Sequence, residues 1–365
     1  MCIVFNTIGC LNDIQKQLDN HNIDEFSSVD ELINFQKTCH FTQEQIILEH
    51  TQQIEKEKII LYKEITELKD NISTRKRELQ EYYKERLLYL DRQIENLPIP
   101  DSKAIPILKD YYLNLIIWLN IWFTQIKHFL KIFFISQQSN KFLSKKNNRL
   151  NYITTNFTEA VNQNSSAQLQ ILQQKITIIN EINNSIYGAI GEQKVVNILK
   201  NLSDDYILIN DFICSFQTPI YNRKENDYIK SIQIDHLLVS PSGIFIIETK
   251  NWSEHTINNL NLHSPVQQVK RTNFALFKIL ADEIKNLNLR KHNWGDRKIP
   301  IRNLIVFINN KPIEEFQFVK ILSLTQLLSH IEYFKPSFSF NETQMIADFL
   351  FKISDKRKQS NLIIQ

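Results

Sequence analysis

Residues 232–250 read IQIDHLLVSPSGIFIIETK. Two apolar runs rich in β-branched residues flank Pro-Ser-Gly, which predicts a β-hairpin. The second run, GIFIIETK, reads as a buried strand, yet it ends in Glu248 and Lys250. Burying two charges is costly unless they are paired or bound to something. The chain must therefore fold so that a sheet carries charged groups at the end of one of its most apolar strands.

Side chains alternate along a strand. Ile244, Ile246, Glu248 and Lys250 share one face, and Phe245, Ile247 and Thr249 the other. On the partner strand, Asp235 falls on the face of Gln233 and Leu237. If Pro241 and Ser242 form a two-residue loop closed by Ser240 and Gly243, Asp235 stands opposite Glu248, with Cβ atoms about 4.5–5.5 Å apart. A three-residue loop would shift the register by one and undo this alignment, and the sequence leaves the turn open.

Two carboxylates that close repel each other. A divalent cation between them would reconcile them, and hard oxygen ligands suit Mg²⁺ or Mn²⁺. Such an ion activates water and stabilises charge developing on a phosphate. Lys250, one pleat further, would orient the attacking water or pair with the phosphate. Glu-x-Lys alone is a weak signal, since any exposed strand end carries it. Asp235 adds weight, because it lies mid-strand among Ile234, His236 and Leu237, where Asp is depleted.

The flanking sequence predicts an α/β domain. Residues 187–200 read as a helix, 206–213 as a strand, 265–287 as an amphipathic helix, 301–309 as a strand, and 323–334 and 341–353 as closing helices.

Three stretches together resemble the nuclease-related domain, NERD, of the PD-(D/E)XK nuclease superfamily. They are GAIGEQKV (188–195), QIDHLLVSPSGIFIIETKNW (233–252) and SPVQQ (264–268). The resemblance spans about residues 185–310 and implies a mixed sheet flanked by helices. It also implies a metal-dependent DNA endonuclease, with Asp235 and Glu248 as metal ligands and Lys250 as the catalytic lysine. Glu192, in a G-x-x-G-E motif, falls on the helical glutamate that supplies an extra ligand. Gln268 falls on a later helical glutamine that contacts the backbone or orients Lys250, with Ser264 where Asn is usual. The segment 253–264 is shorter than in the family and lacks glycine. A role in bacterial defence against foreign DNA is the kind this resemblance suggests.

Each added residue also has a plainer reading. Glu192 and Gln268 would be ordinary polar helix positions, and His236 and Trp252 would be packing residues. Lys270, Arg271 and Lys278 would meet phosphates or form a solvated face.

Ahead of this domain the pattern is helical. Thr42 to Leu97 holds no Gly or Pro; Ile47, Ile54, Leu61 and Leu68 recur every seven residues, with Ile65, Ile72 and Leu79 between them. Tyr82 and Tyr89 continue the first series past a break at Arg75. This predicts a coiled coil that joins copies of the chain, or a long amphipathic helix packed within it. Pro98 and Pro100 end it. Residues 105–135 are strongly apolar, but Asn114, Asn120 and Gln125 interrupt a core too short for a simple span. They read as packing, or as membrane association through aromatic and basic flanks. The expected divisions are 1–41 of unclear fold, 42–97 coil, 98–136 hydrophobic helical segment, 137–183 helical connector and 184–365 nuclease-like domain.

Composition excludes little. The formal charge of +3 diagnoses no nucleic-acid binder, so a basic surface must be local. Cys2, Cys10, Cys39 and Cys214 form neither a disulfide framework nor a zinc spacing. Residues 1–15 lack the basic start of a secretory signal. The expected setting is the cytoplasm, free or at the inner face of the membrane. A non-catalytic nucleic-acid- or partner-binding module and a membrane-associated coiled-coil scaffold are the rival functions.

Overall fold

The structure, a computed structural model, describes residues 1–97, 104–252, 263–283, 298–309 and 311–364. Pro98, Pro100, the segment 253–262 and the expected helical turn at 284–287 lie outside them. The chain divides into two compact units, one of Met1–Cys39 with Gln173–Gln365, the other His40–Leu172.

The first unit is built on a six-stranded mixed sheet in chain order: β1 (Ile3–Phe5), β2 (Ile207–Asn222), β3 (Asp227–Ser240), β4 (Gly243–Lys250), β5 (Ile301–Phe307) and β6 (Lys320–Ser323). β2, β3 and β4 are antiparallel neighbours, whereas β1 lies parallel to β2, and β5 and β6 continue parallel to β4. Helices cover both faces. On one, α1 (Gly9–Asn20), α5 (Asn183–Leu199) and α7 (Leu327–Glu332) bury Leu11, Ile14, Ala189, Val195 and Ile331 against Leu208, Leu238, Phe245 and Ile247. On the other, α6 (His263–Glu283) and α8 (Phe340–Ile353) bury Val266, Val269, Leu276 and Ile346 against Leu237, Ile244, Ile246 and Phe307. β4 is sandwiched on both sides, which explains its continuous apolar run. Ser339 and Glu342 form a reciprocal cap at the start of α8.

Residues 1–41, whose fold the sequence left unclear, supply β1 and α1 to this unit, and the Ile3 amide donates to the Tyr206 carbonyl at 3.0 Å. The β2–β3 hairpin is also longer than the expected strands. Its outer part pairs only with itself, with a register shift between Ser215 and Ile220, and it is largely exposed, so no apolar alternation announces it.

The second unit contains most of α2 (Val29–Glu95), α3 (Ala104–Thr155) and the first part of α4 (Phe157–Glu181). α3 runs back along α2. Arg149 makes two 2.9 Å hydrogen bonds to Glu57, Lys146 lies 2.6 Å from Glu64, and the His128 ring packs tilted against Tyr83, centroids 4.7 Å apart. The heptad residues Ile54, Leu61 and Ile65 are buried with Leu150 and Ile153 of α3. Their partner is thus a helix of the same chain. Beyond Arg75 the seam moves by one residue: Tyr83 and Leu90 are buried, and the expected Tyr82 and Tyr89 are exposed. A straight helix drifts by about 20° per heptad against a seven-residue repeat, and over roughly four heptads the drift approaches the 100° of one residue. Among the described residues no helix is long and apolar enough to cross a membrane.

Candidate active site

The turn closes at Ser240–Gly243, and the ladder continues rung by rung to His236–Ile247. This is the two-residue loop, with Gly243 at φ 124°, a conformation that L side chains rarely adopt. The next rung would join Asp235 to Glu248. Instead, the Asp235 carboxylate reaches across, and its Oδ2 accepts the Thr249 amide proton at 2.8 Å.

Strict alternation fails here, which corrects the expected face of Asp235. Ile232 and Ile234 lie in the same core as Leu237 and Val239, and Ile207 and Ile209 in the same core as Phe212 and Cys214. In uninterrupted strands these pairs would face opposite sides. The slip falls on the rung between Asp211 and Asp235, where Asp211 is left-handed at φ 47°. It leaves His236 fully buried, its Nδ1 2.8 Å from Asn210 Oδ1. Burial pushes the His236 imidazole down to about 3, so this histidine is a neutral core residue.

A cavity of about 800 Å³ opens at the end of β4, and Glu192, Asp235, Glu248 and Lys250 all line it. Glu192 and Glu248 are buried, each 5% exposed. Lys250 Nζ lies 2.7 Å from Glu248 Oε1, and from α6 Gln268 Nε2 lies 3.5 Å from Glu248 Oε2. Gln268 lines a neighbouring groove with Arg271 and Arg357. Trp252 packs edge-on against Phe307, with Lys250 Nζ 5.9 Å from its ring centre.

The electrostatics are those of crowded carboxylates. Burial raises Glu192 to about 7, and the charges of Asp211 and Glu248 add to it against hydrogen bonds from Cys10. Asp235 is pushed well above the usual carboxylate range by burial, then by Glu248 and Glu192. For Lys250, burial disfavours the cation, but the charge and hydrogen bond of Glu248 outweigh it and raise its pKa.

The donor set fits a hard divalent cation: buried carboxylate oxygens that oppose one another's ionisation, with one ammonium beside them. Each carboxylate is turned to a protein donor, and among the described residues no three His, Cys, Asp or Glu side chains are gathered as a metal ion would hold them.

Sequence reasoning missed what surrounds Glu192. The amide of Cys10, at the start of α1, donates to Glu192 Oε2 at 3.3 Å, and Cys10 lines the cavity. A helix N-terminus favours negative charge there. The glycines of the G-x-x-G-E motif now have a physical role. A Cβ on Gly188 would lie 2.6 Å from Cys10 Sγ, and one on Gly191 would lie 2.9 Å from the Cβ of Asn251. Asn251 in turn donates to the Tyr187 carbonyl at 2.7 Å and accepts from Asn309 at 3.1 Å. The motif thus lets α5 approach both α1 and the end of β4.

Gly188→Ala is therefore expected to destabilise the protein by about 1–3 kcal/mol through overpacking. In a Cys10→Ala background the same change should become neutral, or stabilising by up to about 1 kcal/mol through helix propensity. Urea midpoints of the two single variants and the double test this. Equal effects of Gly188→Ala in both backgrounds would show that the glycine does not serve the Cys10 contact.

No curated protein and no solved structure matches the chain. Residues 187–308 match the family model described as nuclease-related domain. That stretch runs from the cavity-lining Tyr187 through the whole β3–β4 hairpin to the end of β5, about a third of the chain. The chain carries a nuclease-related domain, NERD, and the carboxylates of the cavity, Glu192, Asp235 and Glu248, all lie within it.

Proposed function

We propose that the chain is a metal-dependent nuclease that hydrolyses phosphodiester bonds of DNA. The observation that supports this best is the gathering of Glu192, Asp235, Glu248 and Lys250 around one cavity. Asp235 and Glu248, with Glu192, would hold Mg²⁺ or Mn²⁺. The ion would supply Lewis-acid stabilisation of the phosphate and a water of lowered pKa. Lys250 places a cation at the mouth, where it meets the phosphate and orients the attacking water. Glu248 holds Lys250 in place, and Gln268 braces Glu248 from α6.

The neighbouring groove of about 430 Å³, lined by Gln268, Arg271 and Arg357, offers a course for the DNA backbone. Arg271 is paired with Asp227 and Arg357 with Asp211, so the groove would exchange protein carboxylates for phosphates. In this reading residues 184–365 do the chemistry, and residues 42–97, 98–136 and 137–183 place the enzyme.

The test is cleavage of supercoiled plasmid by the full chain with Mg²⁺ or Mn²⁺, beside Lys250→Ala. Wild type should nick or linearise the plasmid, and Lys250→Ala should be slower by about 10²–10⁴-fold, the contribution of a positioned acid–base group. Equal rates would remove Lys250 from the mechanism. No cleavage by wild type with either ion would make the domain a binding module.

A further inference from the structure

The second unit has a feature that the nuclease reading does not use. Along α3, Leu115, Trp118, Trp122, Phe129 and Phe133 recur at three-, four- and seven-residue steps, which places them on one side of the helix. They are between 50% and 70% exposed. The side that meets α2 is a different one, carrying His128, Lys146, Leu150 and Ile153. Leu108, Tyr111 and Tyr112 extend the exposed apolar side toward the start of the helix, and Phe134 widens it at the other end. Continuous apolar surface of this extent marks an interaction site.

Charge identifies the occupant. From Tyr111 to its end at Thr155, α3 contains no Asp or Glu, but it contains Lys127, Lys131, Lys141, Lys145, Lys146 and Arg149. Lys146 and Arg149 pair with α2. Lys127, Lys131, Lys141 and Lys145 are exposed. At about 100° per residue Lys127, Lys141 and Lys145 flank the Phe134 edge of the apolar side, whereas Lys131 turns toward α2, its Nζ 5.8 Å from the Tyr83 ring centre. A second copy docking through this face would bring the same lysines together with no carboxylate on α3 to answer them. A span is excluded for the described helices, none of which is apolar enough. An anionic lipid surface answers both features: headgroup phosphates meet the lysines, and Trp, Phe and Leu enter the acyl boundary, as in helices that lie in the interface plane.

We infer that this face of α3 is a docking surface for an anionic lipid bilayer, on which the helix lies flat. The inference is independent of the nuclease proposal. Its test uses the full chain and two kinds of sucrose-loaded vesicles, phosphatidylcholine alone and phosphatidylcholine with phosphatidylglycerol. Wild type should pellet with the anionic vesicles, less so as salt rises, and remain in solution with the neutral ones. Brominated lipid should quench tryptophan fluorescence. Trp118→Ser/Trp122→Ser should lower binding at least about tenfold. Lys127→Glu should lower it about fivefold, the factor for one basic residue near such a surface. All three side chains are exposed and belong to no core cluster, so circular dichroism and melting should match wild type and separate lost binding from lost folding. Three results would overturn the inference: wild type staying in the supernatant with anionic vesicles, equal binding to both compositions, or a self-association that only the tryptophan variant abolishes without any vesicle binding.

Discussion

Asp235→Asn should abolish plasmid cleavage and at the same time raise the melting temperature of the metal-free protein at alkaline pH. The two effects have one cause. Asp235 is buried, and its ionisation is opposed first by burial and then by Glu248 and Glu192. An asparagine is isosteric and keeps an oxygen to accept the Thr249 amide, the 2.8 Å bond that ends the β3–β4 ladder. It removes the repulsion without a cavity. The loss of activity should be at least about 10²–10³-fold, the range for removing one preorganised electrostatic group from an active site. The gain in stability should appear as a melting shift of several degrees, since about 1 kcal/mol moves a domain of this size by roughly 2–4 °C. Mg²⁺ should raise the melting temperature of wild type and hardly that of the variant, because a ligand stabilises only the state that binds it. A variant that cleaves normally would sink the proposed site. One that is inactive but destabilised would show that the carboxylate serves the fold rather than a cation.

The second large effect is on pH dependence. Glu192 has its pKa raised by burial from 4.5 to about 7 in the folded chain. For an acid shifted upward, the folded state binds the proton more tightly than the unfolded state. Its contribution to stability is then fully present below about 4.5 and is lost as pH rises through about 7. The gap corresponds to roughly 3 kcal/mol. Urea midpoints of the metal-free protein should therefore fall across this window, and Glu192→Gln should flatten the curve. Mg²⁺ affinity should change the opposite way and strengthen as pH rises, since ligands must shed protons to bind. A wild-type curve that is flat between these limits, or an unaltered slope in Glu192→Gln, would contradict the electrostatic account of the cavity.

The hairpin was the most legible part of the molecule. A two-residue loop and strand alternation lead from Pro-Ser-Gly to the rung beside His236–Ile247, and the residues placed around that rung line one cavity. Alternation ran out one residue later, at Asp235, because the left-handed Asp211 on the neighbouring strand leaves no mark in β3 itself. The outer β2–β3 ribbon was illegible for a related reason: largely exposed apart from Ile229, it has no apolar period to display. Cys10 was out of reach in a different way. Its part in the site depends on a contact with Glu192 across 182 residues, and the only local trace is on the other partner, the bare surface of Gly188. The seam of α2 was legible for its first heptads and then drifted, as a straight helix must. Its partner, a helix of the same chain, is set by where α3 turns back, outside the reach of periodicity.

The unit that carries the sheet is discontinuous along the chain. β1 and α1 are made first, but β1 pairs with a strand more than 200 residues later, Ile3 with Ile207, and Cys10 meets Glu192 on a helix nearly as distant. During synthesis from the N-terminus the first elements have nothing to join until the whole helical unit has emerged. Closing so large a loop makes such contacts slow to form. The α1 side of the cavity is thus assembled only on a chain translated well into its second half, and a ribosome-bound fragment ending before residue 187 holds none of the carboxylates of the site.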